Sequence, residues 1–134
     1  MKRYFIDTCV LIWLLEDNKC VRKVASDMKY YQGDFAISVE VLQEFANLLA
    51  IGKVKIKFTL KELFEKLAEF GIEICYFEKK HLKYIFELPY FSEHGDQNDR
   101  NIIAHAIADK RTLISGDGRF SNYEEAGLSF LKIN

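Results

Sequence analysis

Four carboxylates spread along the chain, Asp7, Glu44, Asp99 and Asp117, are the residues whose types and settings could do chemistry. Asp7 ends the apolar run Tyr4-Phe5-Ile6, and Asp117 follows Leu113-Ile114-Ser115. Both runs read as buried strands, so both acids are expected just beyond strand carboxyl ends, where open α/β sheets bind ligands. Glu44 shares a helical stripe with Val41, Phe45 and Leu48, while Glu40, Gln43 and Asn47 fall on the polar face. A carboxylate on an apolar stripe needs a partner. Asp99 heads the core-facing stripe Asp99, Ile102, Ile103, Ala106, Ile107 in a helix expected from Asp96 to Lys110, and it lies in the first turn, where the positive helix end favours an anion. Two carboxylates about 4 Å apart repel by roughly 4 kcal/mol at an effective dielectric of about 20. Four clustered acids therefore call for cations, and a divalent metal is the simplest supply. The chemistry expected of such a site is metal-assisted hydrolysis of a phosphodiester.

Strand patterns that could position these acids recur at Arg3 to Ile6, Phe35 to Ser38, Ile72 to Phe77, Thr112 to Ser115 and Ser129 to Ile133, with helical patterns between them. The alternation predicts an α/β fold, a five-stranded parallel sheet covered on both faces. The first helix is expected to start near Thr8 and the second to run from Asn18 to Tyr31; Ser38 caps the third. Thr59-Leu60-Lys61-Glu62 is a capping box and Gly71 a stop for a fourth, and Glu78 to Leu88, closed by Pro89, is a further amphipathic segment. With 134 residues, 49% hydrophobic and 29% charged, the chain has the size and composition of one folded domain over residues 1–134.

A net charge of −1 offers no global attraction for nucleic acid, so contact with a polyanion must rest on local groups and bound metal. The lysine groups Lys53, Lys55, Lys57, Lys61 and Lys79, Lys80, Lys83 read first as solvated faces. Cys9, Cys20 and Cys75 are odd in number with no close pair, which points to reduced thiols and a cytoplasmic setting. The opening Met1 to Ile6 is broken by Asp7 without a cleavage pattern, so no secretory leader is expected, and the longest apolar run, Cys9 to Leu15, is too short to span a bilayer.

Each acid has a plainer explanation. Asp117-Gly118 alone is a turn, Asp7-Thr8 alone a helix cap, and Asp96 or Asn98 a cap for the helix that follows. Capping accounts for one acid of the His94 to Ala104 segment and leaves Asp99 on the buried stripe without a reason, so Asp99 reads as functional. Ser115 is either an ordinary strand-end residue or a hydroxyl supporting a ligating carboxylate. His81, His94 and His105 lack the close groupings of a structural zinc site, and His105 has ordinary surface spacing. His94, beside the acidic loop, is a candidate phosphate or proton contact, and Arg100 either contacts phosphate or pairs with Asp96 or another acid.

Phe5-Ile6-Asp7-Thr8, Ile37-Ser38 through Glu44, Asp99-Arg100 leading into Ile102-Ile103-Ala104-His105-Ala106, and Leu113-Ile114-Ser115-Gly116-Asp117 together resemble a PIN domain, and specifically the VapC-type toxins of toxin–antitoxin pairs. The resemblance covers essentially the whole chain and lies in the order and spacing of fragments that are individually weak. It implies an α/β/α sandwich in which Asp7, Glu44, Asp99 and Asp117 hold magnesium or manganese and cleave RNA. It also implies a cognate antitoxin that blocks the cleft and a toxin homodimer, for which the Lys53 to Phe70 region is one surface. The chain departs from many such relatives in carrying Gln97 where they have proline and Gly116 where they have a basic or polar residue. Neither departure removes an acid.

Two other functions compete. A non-catalytic PIN-like module that binds RNA or protein would have no need of a complete acid set. A receiver-type phosphotransfer domain with Asp7 as nucleophile lacks its companions: no second carboxylate stands two residues after Asp7, and no lysine follows Thr112 to Ser115.

Overall fold

Five short apolar segments pair into one sheet: β1 (Arg3–Ile6), β2 (Asp34–Ser38), β3 (Ile72–Cys75), β4 (Thr112–Ser115) and β5 (Ser129–Lys132). The computed structural model of the protein describes residues Met1–Asn134. The strand order is β3-β2-β1-β4-β5 and every pairing is parallel, with Phe5 opposite both Ala36 and Leu113. Phe5, Ile6, Phe35, Ala36, Ile37, Leu113 and Ile114 are buried, as expected of central strands covered on both faces.

Six helices lie between the strands: α1 (Thr8–Leu15), α2 (Arg22–Lys29), α3 (Val39–Ala50), α4 (Leu60–Phe70), α5 (Leu82–Glu87) and α6 (Gln97–Asp109). The connections from β1 to β2 and from β2 to β3 run one way along the sheet, and the connection from β3 to β4 runs back past β2 and β1. Right-handed crossovers travelling in opposite directions put their helices on opposite faces, giving an α/β/α sandwich. The reversal leaves a crevice at the carboxyl ends of β1 and β4, the position where such sheets bind ligands.

Local signals act where expected at α4: Thr59 Oγ1 accepts from the Glu62 N–H (3.1 Å), Glu62 Oε1 accepts from the Thr59 N–H (3.0 Å), and Gly71 ends the helix at φ +70°. Two expected helices are shorter than their sequence patterns. Asn18 to Tyr31 divides into a tight turn, Lys19–Val21, capped by Asn18 Oδ1 on the Cys20 N–H, and α2. Glu78 to Leu88 divides into the turn Lys79–His81 and α5, because the buried His81 ring turns back to accept the Glu78 N–H at 2.7 Å. Strand β3 stops at Cys75 instead of Phe77, since its partner β2 ends at Ser38, opposite Cys75. Strand β5 likewise ends at Lys132, opposite Ser115.

Candidate active site

Ile6 pairs with Ile114, and the Asp7 N–H donates to the Ile114 carbonyl (3.0 Å), so Asp7, as the cap of α1, sits beside the β4 exit that carries Asp117. Glu44 reaches the same edge from α3, where its Oε2 accepts from the Thr8 hydroxyl at 2.9 Å. Asp99 arrives from the first turn of α6, which Asp96 caps by accepting the Asp99 N–H at 3.1 Å. The four acids expected from the sequence therefore meet around one crevice, with Asp96 at its rim.

Each carboxylate has a dedicated support. Asp7 is buried; its Oδ1 accepts from the Thr8 N–H (2.8 Å) and its Oδ2 from the Ser115 hydroxyl (2.7 Å). Ser115 Oγ in turn accepts the Asp117 N–H (3.1 Å), so this hydroxyl supports the Asp7 carboxylate and the Asp117 backbone at once. His94 is buried and its Nε2 donates to Asp99 Oδ2 at 2.7 Å, which leaves Nδ1 without a partner. Phe120 and Tyr123 pack against the His94 ring, and the Tyr123 hydroxyl donates to its carbonyl (2.6 Å). Ligand atoms of His94, Asp99 and Asp117 all lie within 4.8 Å of one another.

The electrostatics of the crevice are those of too many acids. Burial pushes the Asp7 carboxyl up against the opposing bonds from Ser115 and Thr8, and the charges of Asp99 and Asp117 push the same way. Burial likewise raises Glu44, against the Thr8 bond, with help from Asp7 and Asp96. Asp99 is raised by burial, then by Asp96 and Glu44, although His94 opposes the shift. Asp117 alone goes down, because Arg119 hydrogen-bonds it.

Arg119 is a site residue that sequence reasoning missed, since an exposed arginine after an Asp-Gly turn carries no signal in one sequence. Arg100, by contrast, contacts no acid. Its guanidinium donates to the carbonyls of Pro89 (2.8 Å) and Leu88 (3.4 Å) and lies over the Tyr90 ring, bracing the loop before the acidic segment. Gly116 is explained by its neighbour: a Cβ there would come within 2.5 Å of the Trp13 ring, so Trp13 would have to shift for any side chain to stand between Ser115 and Asp117.

His105 corrects a second expectation. It is wholly buried instead of surface-spaced, edge-on to Phe5, and its neighbour Glu40 is turned inward from the polar face assigned to it. His105 Nε2 lies 3.1 Å from Asp109 Oδ2 and Nδ1 lies 3.8 Å from Glu40 Oε2. His81, His105 and Asp109 are close enough to surround an ion. The hydrogen bonds argue against that use. His81 Nδ1 accepts the Glu78 N–H, so its ring proton resides on Nε2 and points at Asp109 Oδ1 (2.9 Å), and a protonated nitrogen cannot ligate. Burial acts to raise Glu40 and Asp109, but it is outweighed by His105 at Glu40 and by the His81 bond and the His105 charge at Asp109, which hold both acids low.

The sequence model of the PIN domain matches residues 4–126. Among solved structures the chain is similar to one in VapBC2 from Rickettsia felis bound to a DNA fragment from their promoter, at 23% identity and a TM-score of 0.68 over 98% of both chains. It is similar to one in DNA-bound VapBC from Salmonella typhimurium, at 14% identity and a TM-score of 0.64 over 98% of both chains. A domain of a functionally unknown protein from Methanocaldococcus jannaschii shares the fold at 21% identity and a TM-score of 0.65, over 100% of this chain and 92% of the other. No curated protein matches the chain.

Proposed function

The chain belongs to the PIN domain family, and from that premise we propose that it is a metal-dependent ribonuclease, the toxin of a toxin–antitoxin pair. The observation that carries this reading is the gathering of Asp7, Glu44, Asp96, Asp99 and Asp117 at one sheet edge, with burial raising three of them. A donor set of carboxylate oxygens with one imidazole beside them fits a hard divalent ion such as Mg2+ or Mn2+. Asp7, Glu44, Asp99 and Asp117 would hold it, and when bound it would neutralise the crevice and supply positive charge at the phosphate under attack.

The chain's own residues set the geometry around that position. Ser115 and the Thr8 N–H fix both oxygens of Asp7, and the Thr8 hydroxyl fixes Glu44. His94 holds a proton on Nε2 against Asp99 and so orients that carboxylate toward Asp117. Asp96 positions Asp99 through the backbone of α6. Purified protein with Mg2+ is expected to cleave structured RNA, and Asp99→Asn to lose that activity while keeping its circular dichroism and thermal midpoint. Cleavage unchanged in the variant would sink the assignment.

Two structures with this fold are VapBC assemblies on DNA, which supports a cognate antitoxin as the partner. For the homodimer we favour the Lys53 to Phe70 region, where Leu60 and Phe64 stand exposed beside an apolar groove that includes Leu42, Phe58 and Tyr76. Light scattering of the isolated chain tests this. No helix is long and apolar enough to cross a membrane, and we assign the protein to the cytoplasm.

A further inference from the structure

Of the lysine and arginine side chains, only Arg119 forms an ion pair with an acid of the crevice. Its Nε donates to both oxygens of Asp117 (3.1 and 3.2 Å), its Nη2 donates to Oδ2 (2.8 Å), and its backbone N–H donates to Oδ1 (3.0 Å). Three N–H groups of this one residue, with the Nε–H shared, therefore engage both oxygens of Asp117. The remaining arm reaches across the crevice, where Nη1 donates to the Glu93 carbonyl (2.9 Å), in the turn Ser92–His94 that carries the proton donor to Asp99. Arg119 thus ties the β4 exit to the His94 turn.

Resting on the ribonuclease reading, we propose that Arg119 is an internal latch: it neutralises Asp117 while the crevice holds no metal, and when an ion takes Asp117 it turns to clamp a phosphate of the RNA beside the cut. A cation at Asp117 would meet a positive guanidinium already seated on both oxygens, so ion and guanidinium compete for one carboxylate. Displacement is easy, because the Arg119 side chain is 56% exposed and exposed pairs contribute little to stability. Arg111 shows the contrasting structural role: its side chain is only 3% exposed and donates to the carbonyls of Tyr4 and Asp34 as well as to an acid.

Once displaced, the guanidinium stays at the rim, two residues from Asp117. It keeps its charge at any working pH, and its planar fork matches two oxygens of a phosphodiester. A polyanion entering a crevice of five acids needs such a cation; of the others nearby, Arg100 is committed to the carbonyls of Leu88 and Pro89, and Lys132, whose side chain passes Gly118, donates to the Asn134 carbonyl.

The test uses the full chain and two readouts. Manganese titrated calorimetrically into the protein without RNA is expected to bind Arg119→Ala about threefold to fivefold tighter than wild type, because the competitor is gone. Labelled single-stranded RNA, followed by anisotropy with Ca2+ replacing Mg2+ to slow cleavage, is expected to bind Arg119→Ala about tenfold more weakly. The variant is also expected to lose about one unit from the slope of log affinity against log salt. Arg119→Lys keeps the charge and is expected to keep the salt slope while recovering only part of the affinity. If either manganese or RNA affinity is unchanged in Arg119→Ala, with wild type binding both, the latch is wrong and the ribonuclease reading stands. If wild type takes up no manganese, both fall together.

Discussion

The protein contains two clusters of carboxylate and imidazole, and burial acts in the same direction on the acids of both with different outcomes. In the crevice, Asp7, Glu44 and Asp99 are raised, chiefly by burial and then by one another. In the cluster of Glu40, His81, His105 and Asp109, burial works the same way but loses to histidine bonds and the charge of His105, and both acids are lowered. Residue types alone do not separate the two. The difference lies in charge balance: two acids share two buried histidines in one cluster, whereas the acids of the crevice have one histidine and one exposed arginine between them. A cluster whose acids are lowered has its counter-charge built in and serves the fold. Where acids stay raised, as at Asp7, Glu44 and Asp99, a cation from outside would relieve them, which is the role proposed for the metal.

Exchanging the two clusters' acids for amides is the sharpest way to break this contrast. Asp7→Asn should reduce metal-supported RNA cleavage by more than about 100-fold, since loss of an outer partner of a metal ligand alone costs 10–100-fold. The same change should raise the thermal midpoint of the metal-free protein, because it deletes a charge that burial disfavours. Asp109→Asn should do the reverse, leaving cleavage nearly intact while lowering stability by about 1–3 kcal/mol through the loss of the charged acceptor of buried His81 and of the negative charge beside His105. Activity assays paired with thermal melts decide it, and loss of cleavage in Asp109→Asn with the fold retained would erase the distinction.

The pH dependence of stability sharpens the comparison at a smaller scale. A carboxylate raised in the folded state contributes stability that is full below its unfolded pKa and is lost as pH rises through the folded value. For Asp7, Glu44 and Asp99, lowering the pH from neutrality should therefore stabilise the metal-free protein until it nears the ordinary carboxylate range. Glu40 and Asp109 act the other way: their contribution is present above the ordinary range and disappears as pH falls through their depressed values. Melts in chelator should thus show stability rising as pH falls from neutrality toward the ordinary carboxylate range and collapsing below about 4. Manganese at 100 times its dissociation constant should add about 2.7 kcal/mol at pH 7 and progressively less as the acids protonate. A metal-free profile with no rise anywhere between neutrality and the ordinary carboxylate range would contradict the raised acids.

These two clusters also mark what the sequence could reveal. Asp7 and Asp117 were legible because each terminates an apolar run, and parallel pairing sends both run ends to one edge. Asp99 stood out as a charge at the head of a buried stripe, and the Thr59 and Glu62 box is a local code that needs no tertiary context. The Glu40 and His105 pairing was not legible, because it joins two helices distant in sequence, and His105 between Ala104 and Ala106 fits a surface or a buried face equally well. Arg100 misled for a related reason. Its true acceptors are backbone carbonyls, which every residue carries and no pattern announces, while the acids beside it in sequence lie on another side of the helix.

The smallest predicted effect tests whether support of the acids, and not their presence alone, distinguishes the crevice. Thr8→Val keeps the shape of the side chain and removes one hydroxyl, the donor to Glu44 Oε2 at 2.9 Å. The backbone N–H of residue 8 remains to hold Asp7 Oδ1, so Asp7 should be undisturbed. Without that bond the opposition to burial at Glu44 weakens and its carboxyl should rise further. Metal-supported cleavage should then fall by about tenfold, with a higher metal concentration needed for half the maximal rate. A loss with no change in metal requirement would mean that Thr8 acts on something other than Glu44, and no loss would mean that the acids of the crevice orient themselves.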